Sequence, residues 1–234
     1  MVQYLVIKKH ENLEKLSMPV KLFILGLPGS GKSAIARYIN IEVYAEGWHW
    51  AARRFNDYKI LDDMFNQDTA GRFKPADSGG FDVLDLKVFD EALLTLEQEV
   101  NMYIDTLKSE EKKLVLIEFS RNNYEHAFLQ FNKSFLKDAY FLYLDTELET
   151  CKQRIRHRVA KPQFEEDHPV SEYIFKEYYY ADDGSSIADI LAKKYGVNKW
   201  RVLTIDNNRS LEPVCKSIES FIHSILNPLF IVSK

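Results

Sequence analysis

Two rhythms of apolar residues alternate along this chain. Val20–Leu25 (VKLFIL) is a short, nearly continuous apolar run, and so are 114–119, 140–144 and 201–205, the last two closing in Asp145 and Asp206. Runs of that length, apolar throughout, predict strands buried on both faces. A fifth extended piece at 51–55 ends in Asn56-Asp57. Between these runs the period lengthens. Helices are predicted at 32–45, 147–159, 185–194 and 211–226, and the stripe Leu86, Phe89, Leu93, Leu96, Val100, Tyr103 and Leu107 marks one long amphipathic helix over 85–107. Strand and helix in turn predict an α/β, doubly wound, three-layer fold: a five-stranded parallel sheet with helices on both faces. Its ligands belong at the carboxyl ends of the strands.

Two segments fall outside this alternation. Residues 69–82 (TAGRFKPADSGGFD) carry three glycines and a proline, and read either as a mobile substrate loop or as surface decoration. Residues 160–183 are long for a connection and hold a short helical pattern after Ser171, which suggests a lid inserted into a single domain spanning 1–234.

The first strand runs directly into Gly26-Leu27-Pro28-Gly29-Ser30-Gly31-Lys32-Ser33, the complete G-x-x-x-x-G-K-[ST] pattern, with Ala34 continuing into the first helix. Glycines let successive backbone N–H groups turn into one concavity that suits a polyphosphate, and the helix N-terminus adds positive charge beneath it. Lys32 is expected to reach the β and γ phosphates, and Ser33 to offer its hydroxyl to Mg²⁺. The spacing implies ATP or GTP as ligand.

Phosphoryl transfer needs an acceptor-side base, cations that follow the migrating charge and a closure against water. Asp57, at the end of the second strand, is expected either to orient an acceptor hydroxyl or to cap the following helix. Glu118 ends the run LVLIE, where an acidic residue can hold water of the Mg²⁺ shell, and Arg121 emerges at the same edge with a fork suited to an acceptor phosphate or carboxylate. In CKQRIRHRVA, Arg154 and Arg158 are four apart and share a helical face, whereas Arg156 points elsewhere. Such a pair suits a nucleoside triphosphate; the alternative is a basic helix end answering its own dipole.

Composition narrows the field further. The chain has 234 residues, 46% of them hydrophobic, enough for one sizeable core, and its net charge of −4 argues against a protein that grips long nucleic acid. Cys151 and Cys215 are isolated and the six histidines lack metal spacing, so a reducing, cytoplasmic setting is expected. No apolar run approaches a membrane span or a signal-peptide core, and a soluble monomer or homodimer is expected.

Four segments, GLPGSGKS, LVLIEFSR, YFLYLDTELETCKQRIRHR and VLTIDNNRSLEPV, resemble the P-loop kinases of the adenylate kinase and nucleoside monophosphate kinase superfamily. The resemblance implies an ATP- and Mg²⁺-dependent kinase acting on a small-molecule or nucleotide acceptor. It implies that Arg121 meets an acceptor phosphate, that Arg154 and Arg158 lie over the adenine and along the phosphates, and that Asn207, Asn208 and Arg209 meet the adenine. Glu118-Phe119-Ser120 stands where an adenylate kinase would show aspartate, glycine and proline around that arginine, which points away from a housekeeping adenylate kinase. Two other readings use the same loop. A polynucleotide or sugar-nucleotide kinase would need further groove cations, for which Arg53, Arg54, Arg72 and Lys74 are available; a hydrolysing switch would need no acceptor.

Overall fold

The computed structural model describes residues 19–45, 52–77, 79–108, 113–164, 167–180, 186–208 and 211–226. Ala51, Ser185, Arg209 and the lid positions 165–166 and 181–183 lie outside the described residues.

Five strands, β1 (Val20–Leu25), β2 (Arg53–Asn56), β5 (Leu114–Phe119), β6 (Tyr140–Asp145) and β7 (Val202–Asp206), form one sheet in the order β2-β5-β1-β6-β7, parallel throughout. Alternation within each strand divides the core into two. Phe23 and Leu25 of β1, with Ile117 of β5 and Phe141 of β6, face one side, where Phe23 stacks on Phe141 at 4.9 Å between ring centroids. Leu22, Ile24, Leu116 and Leu142 face the other. That second face is covered by α1 (Lys32–Ala45) and α9 (Leu211–Leu226). The first is covered by α2 (Asp57–Asn66), α3 (Lys87–Asp105), α4 (Tyr124–Phe128), α5 (Lys133–Lys137), α6 (Leu148–Ala160), α7 (Glu172–Glu177) and α8 (Ile187–Tyr195). No helix among the described residues is long and apolar enough to cross a membrane.

The expected long helix is two residues shorter at each end, running over Lys87–Asp105. The segment 69–82 is not a bare loop. Phe73–Pro75 (β3) and Phe81–Val83 (β4) pair as an antiparallel hairpin, with Gly79 and Gly80 at positive φ in its turn. Three-residue strands leave too short an alternation to read in a glycine-rich stretch, yet Phe73 and Val83 are buried and anchor the hairpin to the core. A second correction concerns the helix cap: the Asn56 side chain accepts from the Lys59 N–H at 3.1 Å, so Asn56 caps α2 and Asp57 is its first helical residue.

Candidate active site

The loop Gly26–Ser33 joins β1 to α1, and three neighbouring strand ends brace it. After β5, the Tyr124 hydroxyl accepts the Gly26 N–H at 2.7 Å. After β6, α6 packs so closely that a Cβ on Gly29, whose φ is +85°, would lie 2.4 Å from the Cys151 carbonyl oxygen. After β7, the Asn207 amide donates to the Ser30 carbonyl at 2.7 Å, and Arg154 Nη2 in turn donates to the Asn207 carbonyl at 2.8 Å. Gly29 is therefore required twice, by its backbone conformation and by the approach of α6.

Lys32 Nζ folds back over the loop, donating to the Gly26 and Leu27 carbonyls, each at 2.9 Å, and to Ser120 Oγ at 2.6 Å. Removal from bulk water pushes its ammonium down to about 8, against the opposing pull of the Glu118 and Asp57 carboxylates. Beside it, Ser33 Oγ donates to Glu118 Oε2 at 3.4 Å, while Arg54 Nε donates to Glu118 Oε1 at 2.8 Å. A hydroxyl and a carboxylate side by side fit Mg²⁺, a hard cation that takes one or two protein oxygens and completes its shell with phosphate and water.

These groups open onto a cavity of about 360 Å³. Its lining carries four cations, Lys32, Arg37, Arg154 and Arg158. It also carries Asp57 and Tyr58 of α2, Phe81 and Val83 of the hairpin, Phe89 of α3 and Tyr179. Residues 167–171, at the centre of the expected lid, also line the cavity. His168 stacks on Tyr58 with ring centroids 3.5 Å apart, Arg158 Nη2 donates to the His168 carbonyl at 3.0 Å, and Ser171 hydrogen-bonds Asp82 of the hairpin. Burial, reinforced by Arg158 and Lys32, pushes the His168 imidazole down to about 4, so the ring is neutral at physiological pH.

Of the residues expected at a nucleotide site, Pro28, Gly29, Gly31, Lys32, Ser33 and Ala34 line the cavity. So do Asp57, Glu118, Arg154 and Arg158. Arg156 instead pairs with Glu172 at 2.8 Å on the outer surface. Gly26, Leu27 and Ser30 form the inner wall of the loop, and Ser30 is fully buried. Asn207 is likewise buried behind the loop, and Asn208 accepts the Glu147 N–H at 2.7 Å, so both brace the β6 and β7 ends and stand off the cavity. Arg121 is also withdrawn from the cavity lining, only 2% exposed. It pairs with Asp57, donates to the Ser120 and Phe89 carbonyls at 2.6 Å each, and sits under the Phe89 ring. Tyr58, Phe81, His168 and Ser120 escaped the sequence reading. Phe81 and His168 belong to segments read as loop or lid, Tyr58 to the first turn of the helix after the second strand, and Ser120 is a small polar residue with no pattern of its own. Among the proposed groove cations, Arg72 pairs with Asp85 and Glu91 and Lys74 with Asp82, all local to the hairpin and α3.

Comparison with known proteins finds no matching family model and no matching curated sequence. Solved structures do match. Kti12 of Chaetomium thermophilum, solved in complex with ADP-AlF3, superposes with a TM-score of 0.53 at 12% identity, covering 88% of this chain and 98% of that one. The APS kinase CysC of Mycobacterium tuberculosis, solved with AMPPNP and APS, superposes with a TM-score of 0.50 at 18% identity, covering 88% of this chain and 99% of that one. This chain has the P-loop kinase fold. In that fold the sheet's carboxyl edge, where β1 meets the glycine loop, is where the cavity opens here.

Proposed function

We propose that the protein transfers the γ-phosphoryl group of ATP to a small-molecule or nucleotide acceptor. One observation carries the reading: the cavity that the phosphate loop and four cations line is also lined by the Asp57 carboxylate and by Tyr58, Phe81 and Phe89. A hydrolysing switch has no use for that further wall. Solved relatives of the fold holding AMPPNP or ADP-AlF3 add support for the donor.

In this reading the backbone N–H groups of the loop hold the donor phosphates, and Lys32 exchanges its carbonyl partners for phosphate oxygens. Arg154 and Arg158 follow the charge from the α6 side. Mg²⁺, held through Ser33 and by water on Glu118, would neutralise the phosphate oxygens. The acceptor hydroxyl oxygen bonds to the γ-phosphorus as the bond to the bridging oxygen breaks and ADP leaves with that electron pair; the hydroxyl proton passes to Asp57. The transition state is loose, so the proton moves late and Asp57 acts chiefly by orienting the hydroxyl. Residues 167–171 shield the bound phosphates from water. The test is label transfer from γ-labelled ATP to an acceptor panel. Labelled product and ADP should form in equal amounts, and Lys32→Ala should remain folded by circular dichroism while losing roughly 10²-fold or more of the rate. Phosphate released at a rate no acceptor changes would establish hydrolysis instead.

A further inference from the structure

We propose that Arg54 is a positioning residue for the metal end of the site: it holds the Glu118 carboxylate so that Glu118 orients the Ser33 hydroxyl and a water of the Mg²⁺ shell. The inference rests on the proposed binding of nucleotide and Mg²⁺ at the loop and extends it to a residue outside the cavity lining.

Strand register brings the pair together. β2 lies parallel to β5 with Arg54 opposite Leu116 and Asn56 opposite Glu118. Side chains two apart along a strand share a face, so Arg54, Leu116 and Glu118 all project to the side that α1 covers. Arg54 reaches diagonally across the strands, and its Nε donates to Glu118 Oε1 at 2.8 Å. The first turn of α1 brings Ser33 Oγ to the other oxygen, Oε2, at 3.4 Å.

Each carboxylate oxygen then has its own task. A hydroxyl that turns a lone pair toward a cation must direct its proton elsewhere, and Glu118 Oε2 is where the Ser33 proton points. Glu118 is in turn a charge whose side chain is only 4% exposed, and it needs a cationic partner to stay ionised and in place. Of the described cations, Arg54 is in direct contact with it and Lys32 lies within electrostatic reach. In the proposed transfer Lys32 turns to phosphate, so Arg54 is the partner that stays. Ser33 and Glu118 line the cavity and Arg54 does not, so the guanidinium acts through the carboxylate and not on a phosphate. An arginine available in sequence as a groove cation for a longer acceptor is thereby committed to the metal end.

The experiment reads metal affinity directly. Mn²⁺ replaces Mg²⁺, and free Mn²⁺ is measured by electron paramagnetic resonance with the protein and AMPPNP. Arg54→Ala should weaken Mn²⁺ binding to the protein–AMPPNP complex by about tenfold or more, as loss of an outer partner does. AMPPNP affinity in EDTA should stay within about twofold, and Arg54→Lys should bring Mn²⁺ affinity back to within about threefold of wild type. Unchanged Mn²⁺ affinity in folded Arg54→Ala would overturn the inference, and so would an equal loss of AMPPNP affinity in EDTA. If Arg54→Ala does not fold, the Glu118→Gln background decides, since it removes the buried charge. There Glu118→Gln alone should weaken Mn²⁺ binding by about tenfold, and adding Arg54→Ala should change it by less than about twofold. No loss from the first, or a further tenfold loss from the second, would overturn the inference. Label transfer to no acceptor, with these Mn²⁺ effects as expected, would remove the kinase reading and leave the role of Arg54 standing.

Discussion

At the scale of single residues, Asp57 and Lys32 carry the sharpest expectations. Asp57 is both the proposed hydroxyl-orienting group and the counter-ion of a buried arginine, while the cap of α2 belongs to Asn56. The two jobs separate by substitution. Asn56→Ala should cost about 1 kcal/mol of stability in denaturant melts and leave turnover intact. Asp57→Asn should reduce turnover roughly 10²-fold at nearly unchanged ATP affinity. It should also destabilise the fold by about 3–5 kcal/mol, because Arg121 is left buried without its carboxylate. Turnover near wild type in Asp57→Asn would reduce Asp57 to a structural ion-pair partner. For Lys32 the expectation concerns pH. Phosphate favours the protonated amine, and the free protein loses that proton near 8. Affinity for a non-hydrolysable ATP analogue should hold below that pH and fall above it by up to about tenfold per unit, read by calorimetry from about pH 6.5 to about pH 9.5. Lys32→Arg should flatten the profile, since guanidinium keeps its proton throughout.

Among the elements, α6 shows how much helical phase alone conveys. Positions 154 and 158 lie on the cavity, and position 156, turned through about 200° from 154, lies on the outside with Glu172. Arg154→Ala should weaken nucleotide binding by about tenfold or more, since it removes both a phosphate-side cation and the brace to Asn207. Arg156→Ala should stay within about twofold, as expected for an exposed surface pair. Equal losses at both positions, measured by the same calorimetry, would contradict the assignment of faces. The β3–β4 hairpin teaches the opposite lesson. Its glycines, read either as a mobile loop or as surface decoration, are the turn of a small ribbon anchored by the buried Phe73 and Val83.

At the scale of the whole molecule, the cavity is assembled from the loop, α2, the hairpin, α3, α6 and residues 167–171, so a bound nucleotide should tie these parts together. An analogue at about a hundred times its dissociation constant adds about 2.7 kcal/mol to stability. For a chain of this size that corresponds to a rise of roughly 5–10 °C in melting temperature. Lys32→Ala should abolish most of that rise, and a full rise in the variant would place the nucleotide elsewhere.

The sequence by itself determined the parallel sheet, its covering helices and the phosphate loop. Each is encoded locally: four apolar runs of strand length, a 3.6-residue stripe, and eight contiguous residues whose spacing has one geometric solution. It also determined that Arg154 and Arg158 share a face, because periodicity within one helix needs no knowledge of its neighbours. Only the tertiary structure decided the rest. That Asn207 braces Ser30 across 177 residues, that Arg121 is spent on Asp57, and that His168 lies on Tyr58 are facts of contact between distant segments. Nothing in a run of residues records which side chain another strand end will bring against it. An arginine reads the same in sequence whether its fork faces a ligand or a buried carboxylate; the packing of α2 against β5 and α3 decides which.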